Sequence, residues 1–133
     1  MAKKIKRVYM AKKILYQTEL LEVRRAAGMG RGVFARKDIR KGTVIESAPI
    51  IEISEKDWKV IDQTQLRNYL YGYDKKRFAA AHALGVASLF NHSDDPQATY
   101  KVLKEERLIK VWLMKDVKRG EQIFIDYGYD PTT

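Results

Sequence analysis

Cysteine is absent from the 133 residues, which excludes disulfides and any zinc cluster built on thiolates. Histidine is nearly absent. His82 and His92 stand ten apart, with Asp94 and Asp95 beside the second, and no His-x-x-x-His or similar spacing makes them a ligand set, so no metal is expected. No apolar run approaches the ~18 residues that a membrane span needs, and the opening Met1-Ala2-Lys3-Lys4-Ile5-Lys6-Arg7 leads into no signal-type apolar segment. A soluble, intracellular, cytoplasmic protein with no membrane partner is therefore expected. Internal repeats and low-complexity tracts are missing too.

Acidic residues are scarce at one end only. Residues 1–41 carry 13 Lys/Arg against 3 Asp/Glu, whereas residues 42–133 carry 13 against 14. The net charge of +9 thus lies in the N-terminal third. Such a concentration suits a polyanionic neighbour, most simply nucleic acid held through its phosphates by residues 1–41. It suits equally a solubilising, partly frayed terminus.

An apolar content of 45% in a chain of this length makes one domain with one modest core. Residues 1–19 read as a basic arm and residues 20–133 as the domain. Alternation over 20–24 suits a half-buried strand, and 32–35, 43–46 and 49–53 read as short strands, with Pro49 marking a start or edge. From Ser54 the period changes. Ser54 with Asp57 reads as a helix entry, 56–61 and 65–71 carry helical residues, and the alanine-rich 75–84 reads as a helix holding a structural His82. A helical insert over about 54–85 follows. Residues 98–103 and 108–114 form a hairpin signal around Lys104-Glu105-Glu106-Arg107, 116–120 reads as a turn, and 122–126 as a last strand. The expected class is α+β, mainly β.

Three segments carry candidate chemistry. Within Gly28-Met29-Gly30-Arg31-Gly32-Val33-Phe34-Ala35, Gly30 to Ala35 satisfies a loose dinucleotide fingerprint with alanine in the last place, but a strand and a charged turn follow where that motif needs a helix, so the fingerprint is rejected. What remains is a tight hairpin with glycines at positive φ, or a backbone left bare so that a ligand can lie against it. Leu89-Phe90-Asn91-His92-Ser93-Asp94-Asp95-Pro96 presents an amide, an imidazole and a hydroxyl at a bend, either to cap a core segment or to form a site. Gly120-Glu121-Gln122-Ile123-Phe124-Ile125-Asp126-Tyr127 is an acidic and aromatic terminal strand.

In that order the three segments resemble the motifs of the SET-domain protein-lysine methyltransferases: the first motif at Gly28 to Ala35, the Asn-His-Ser motif at Leu89 to Pro96, and the Glu-Glu-Leu-x-Phe-Asp-Tyr motif at Gly120 to Tyr127. The likeness runs from about Glu22 to Tyr127 and is greatest to minimal members such as those of chlorella viruses, which share a Tyr-Leu pair near Tyr69 and an Ala-Leu-Gly run at Ala83. The resemblance implies a SET domain: small curved sheets in which the C-terminal segment threads, pseudoknot-like, beneath the Asn-His-Ser loop. It implies S-adenosylmethionine as cofactor, with S-adenosylhomocysteine as product, held by Met29, Gly30, Arg31, Asn91, His92 and Tyr127. It makes Tyr127 the catalytic residue and places Tyr69, Ile125 and Tyr129 in the channel for the substrate lysine, with Tyr71 as a further candidate. Arg31 stands where relatives often carry an aromatic residue, Asp94 replaces a common cysteine, Gln97 a common asparagine, and Ile125 a Phe/Tyr.

The resemblance also implies a protein substrate, a histone or another DNA-associated chromosomal protein, met in chromatin or a nucleoid. A basic enzyme would repel such a substrate unless both lie on DNA. Only six residues follow Tyr127, too few for the segment with which larger relatives close the channel, so something else must cover the site: a homodimer is the favoured expectation, with Leu15 to Leu21 or the substrate itself as alternatives. The alternative is a non-enzymatic SET-like module that holds nucleic acid or chromatin through its basic third.

Overall fold

The computed structural model describes residues 19–73 and 78–128, so the arm lies outside the described residues but for its last position. Among the described residues nine strands and one α-helix follow in order: β1 (Leu21–Ala26), β2 (Gly30–Ala35), β3 (Val44–Ile53), α1 (Glu55–Ile61), β4 (Leu70–Gly72), β5 (Ala80–Ala83), β6 (Asn91–His92), β7 (Ala98–Leu103), β8 (Leu108–Leu113) and β9 (Gln122–Ile125). Short 3-10 turns occupy Gln65–Tyr69 and Ala87–Leu89. The fold is mainly β, as expected.

Two sheets form, in the orders β1-β2-β9-β6 and β4-β5-β3-β8-β7. The alternation that marked 20–24 as half buried places Leu21 in the core and Val23 partly buried against it, joined by Val33, Ala35, Ile45, Ile109, Val111, Leu113, Ile123 and Ile125. In the second sheet β4 and β7 are opposite edges, about 19 Å apart if four inter-strand spacings of ~4.8 Å lay flat. Yet Tyr71 on β4 and Tyr100 on β7 meet edge to face at 4.7 Å between ring centroids. The sheet is therefore curled until its two edges close on each other.

The C-terminal strand β9 is inserted between β2, its antiparallel neighbour, and β6, its parallel one. Gln97 helps to hold it: its side-chain amide donates to the Gln122 carbonyl at 2.7 Å and accepts from the Phe124 N–H at 2.9 Å. One side chain thus replaces a neighbouring strand's backbone.

Three local expectations need correction. Residues 43–46 and 49–53 belong to one strand, β3, with a bulge between Val44 and Glu46. Pro49 is tolerated within it because pairing passes there from β8 (through Pro49) to β5 (from Ile50), so its missing N–H leaves little unmade. The helix expected over 75–84 is not formed where the structure describes it: Ala80–Ala83 is strand β5, paired with Ile50–Ile53 and with β4. Alanine's helix preference is worth at most about 1 kcal/mol per residue. Here Ala81 and Ala83 lie fully buried against the core, where only a small side chain fits, and packing decides. His82 accordingly stands on a strand, opposite Ile51 and Leu70. The helical insert shrinks to α1, opened by Ser54 accepting from the Asp57 N–H at 3.1 Å, and the 3-10 turn after it; 70–71 is already strand.

Candidate functional site

Strands β2, β9 and β6 lie side by side, so the three sequence segments meet in one place. The glycine segment is a β1–β2 hairpin, with Gly28 at φ +73° and Gly30 at φ +78° in the turn and Met29 N–H donating to the Ala26 carbonyl at 3.0 Å. No helix opens after it, which removes the dinucleotide reading on structural grounds. A Cβ at Gly30 would meet no atom within 4 Å, whereas one at Gly32 would stand 2.4 Å from Gln122 Oε1 and 2.9 Å from Asn91 Nδ2. The turn is open; the strand behind it is closed on its neighbours.

Asn91 is fixed by that closeness. Its Nδ2 donates to the Arg31 carbonyl and to Gln122 Oε1, each at 2.8 Å. The Arg31 carbonyl can only accept, which sets the amide's orientation and leaves Oδ1 as an acceptor with no hydrogen bond among the described residues. Met29 is half exposed at the tip, and the Arg31 side chain is exposed.

His92 carries a defined tautomer. Its Nδ1 accepts from the Tyr127 N–H at 3.0 Å, so the proton sits on Nε2, which donates to Asp94 Oδ1 at 2.9 Å. The imidazole therefore clamps the main chain of Tyr127 to the Asn-His strand. The Tyr127 hydroxyl donates to the Phe90 carbonyl at 2.5 Å, and its ring centroid lies 5.1 Å from that of His92.

Behind Tyr127 opens a narrow cavity of about 40 Å³ whose walls include Tyr69, Tyr71, Tyr100, Tyr127, Ala87 and Phe90. Tyr71 donates to the Ala87 carbonyl, and burial, with lesser contributions from Tyr100, Tyr127 and Glu46, pushes its hydroxyl pKa far up. With their protons engaged by main-chain carbonyls, the Tyr71 and Tyr127 oxygens can meet a further group only as acceptors. Such a wall receives a donor; it does not abstract a proton.

Glu46 anchors the turn that supplies those carbonyls. Buried on β3, it accepts from the Val86 N–H at 2.9 Å with Oε2 and from the Ser47 N–H at 3.1 Å with Oε1, and burial pushes its carboxyl above the ordinary range despite both bonds.

The structure thus brings together Gly30, Arg31, Asn91, His92 and Tyr127, and puts Tyr69 on the cavity wall. Ile125 is fully buried in the core and is not among the cavity-lining residues; Tyr129 lies outside the described residues. Sequence reasoning missed Tyr100, Glu46 and the clamp by Gln97. Tyr100 gave no signal beyond an aromatic in a strand; Glu46, an acid in an apolar strand, was the one visible clue. Among the described residues no group of three or more acidic or histidine side chains is placed to hold a metal ion.

Comparison with known proteins agrees with this arrangement. Residues 30–128 match the family model described as the SET domain. The chain is 32% identical over 109 residues to a histone-lysine N-methyltransferase of Schizosaccharomyces pombe specific for H3 lysine 37, covering 81% of this chain and 73% of that protein. It is 30% identical over 118 residues to human histone-lysine N-methyltransferase 2B, covering 84% of this chain but 4% of that much longer protein. A crystal structure from Plasmodium falciparum, assigned as a histone methyltransferase, superposes with a TM-score of 0.65 at 25% identity over 83% of this chain and 98% of that one. With the glycine hairpin, the Asn-His strand and the tyrosine-bearing β9 adjacent, and homologues that methylate histone lysines, the chain belongs to the SET-domain family.

Proposed function

We propose that the protein transfers a methyl group from S-adenosylmethionine to a lysine of a basic, DNA-associated protein such as a histone or chromosomal protein. The observation that carries this reading is the Tyr127 hydroxyl, tied to the Phe90 carbonyl on the wall of a tyrosine-lined cavity. The cofactor, when bound, supplies an electrophilic methyl on a sulfonium. The residues present fit it: an open glycine turn for a ligand to lie against, Asn91 Oδ1 as acceptor for its ammonium, and Met29, Arg31 and His92 around the same edge.

The chain's own part is to receive and align the lysine amine. Free lysine titrates near ~10.4, and withdrawal from water into an aromatic wall favours its neutral form. Tyr127, with Tyr71 and Tyr100, would orient the amine by accepting its N–H groups, leaving its lone pair directed at the methyl that the cofactor would supply. Tyr69, exposed at the rim, admits the side chain. No strong general base is required. A chromatin- or nucleoid-associated setting, contact of residues 1–41 with nucleic acid, and a homodimer whose second copy covers the site belong to the same proposal.

Calorimetric titration with S-adenosylmethionine, then radiolabelled methyl transfer to a mixture of histones and chromosomal proteins, tests it. Wild-type protein should bind and transfer. Tyr127→Phe should lose most transfer and keep cofactor affinity within a few-fold; undiminished turnover would remove Tyr127 from the mechanism. Absence of cofactor binding by a folded sample would favour the non-enzymatic module.

A further inference from the structure

Two basic segments far apart in sequence converge on one end of the molecule. Residues 36–41 and 115–120 are stitched together by the paired Ile39 and Val117 backbone bonds at 2.8 and 2.9 Å and by Gly120 N–H donating to the Ala35 carbonyl at 2.8 Å. With β1 and β2, the described residues 19–41 and 114–121 hold ten Lys/Arg and five Asp/Glu, whereas 42–73 and 78–113 hold seven and nine. The excess is a face, and it extends beyond the N-terminal third.

The acids of that face do not neutralise it. Asp116 Oδ1 accepts from the Lys41 N–H at 2.7 Å, Asp38 Oδ1 from the Arg119 N–H at 2.9 Å, and Glu121 Oε1 from the Lys118 N–H at 3.1 Å. Three carboxylates thus shape the turns through backbone amides. The exposed side chains of Arg36, Arg40, Lys41, Lys118 and Arg119 form no ion pair among the described residues. Arg36 and Arg119 border a concavity with Arg24, whose guanidinium is held by Glu22 at 2.9 Å and lies 4.1 Å from the centre of the Phe34 ring. None of these residues lines the tyrosine cavity.

We infer that this face, Arg36, Arg40 and Lys41 on one turn with Lys118 and Arg119 on the other, is a docking surface for the phosphodiester backbone of double-stranded DNA. Exposed cations with no ion pair among the described residues, on two turns fixed by backbone bonds, meet a regular row of phosphates with little reorganisation, and released counterions drive the association without reading sequence. The inference deepens the proposed function, since an enzyme docked on DNA meets a DNA-bound basic substrate despite like charge, but the charge argument stands without turnover.

The test is fluorescence anisotropy of the full chain with a labelled duplex of about 20 base pairs across a salt series. The variant Arg36→Ala/Arg40→Ala/Lys118→Ala/Arg119→Ala should bind at least ~30-fold more weakly at 0.1 M salt, with a log–log salt slope shallower by about 3. The charge-matched variant Lys56→Ala/Lys59→Ala/Lys101→Ala/Lys110→Ala should lose less than about a tenth of that. If the fourfold variant fails to fold, Arg36→Ala/Arg119→Ala should show about half the slope change. Equal losses in both charge-matched variants, undiminished binding by the first, or tighter binding of wild type to poly-glutamate than to duplex would overturn the inference. Transfer to a short free lysine peptide should be unchanged in the first variant. If no form of the protein transfers methyl groups, the enzymatic reading fails while the DNA result stands alone.

Discussion

Gly30 and Gly32 are two residues apart and required for different reasons. Gly30 needs its backbone, at φ +78° with open space around it, so Gly30→Ala should cost about 1–2 kcal/mol of stability from left-handed strain and leave Asn91 undisturbed. Gly32 needs the absence of a side chain, since a Cβ there would strike Gln122 and Asn91. Gly32→Ala should weaken S-adenosylmethionine binding by about tenfold, the equivalent of one hydrogen bond; calorimetry showing wild-type affinity would separate Asn91 from the cofactor. The sequence marked both glycines, but not this difference, because contact with residues 59 and 90 positions away leaves no local pattern. Glu46 makes a second prediction. A carboxyl raised from 4.5 by burial holds its proton more tightly in the folded chain. Its contribution is therefore full below pH 4.5 and lost as pH rises through the folded value. In urea unfolding, the gap between wild type and Glu46→Gln should be widest below pH 4.5 and shrink toward neutrality; a constant or widening gap would contradict the raised value.

Elements differ in how they are held, and this separates the legible from the illegible. The β1–β2 and β7–β8 hairpins and the entry of α1 at Ser54 follow from local alternation and capping, and the sequence shows them. Strand β5 does not, because three alanines and a histidine carry no strand signal until β3 and β4 lie on either side. Tyr100 reaches the candidate site only because the second sheet curls edge to edge. Helix α1 has no buried residue, and Val60 stands 67% exposed, so little beyond its own hydrogen bonds holds it. Hydrogen exchange should find α1 amides opening well below the global unfolding free energy, with β3 and β8 exchanging only by global unfolding; equal protection would mean that α1 is covered in solution.

Across the whole molecule, β9 decides whether a site exists. It is the strand that pairs on one side with β2, which carries the glycine turn, and on the other with β6, which carries Asn91 and His92, and it delivers Tyr127 two residues after its last. Ile123, fully buried at its centre opposite Val33, joins that strand to the core. Ile123→Ala should cost about 2–5 kcal/mol, a large part of the ~5–15 kcal/mol that a domain has. The loss should be shared: urea should abolish cofactor binding and the fluorescence of Trp112, on β8 in the other sheet, at one lowered midpoint. Separate midpoints would mean that the two sheets unfold independently and that β9 holds only the site. Coincident midpoints would mean that the strand inserted last in the sequence makes both sheets one cooperative unit, so that the three motifs, meaningless apart, are assembled or lost together.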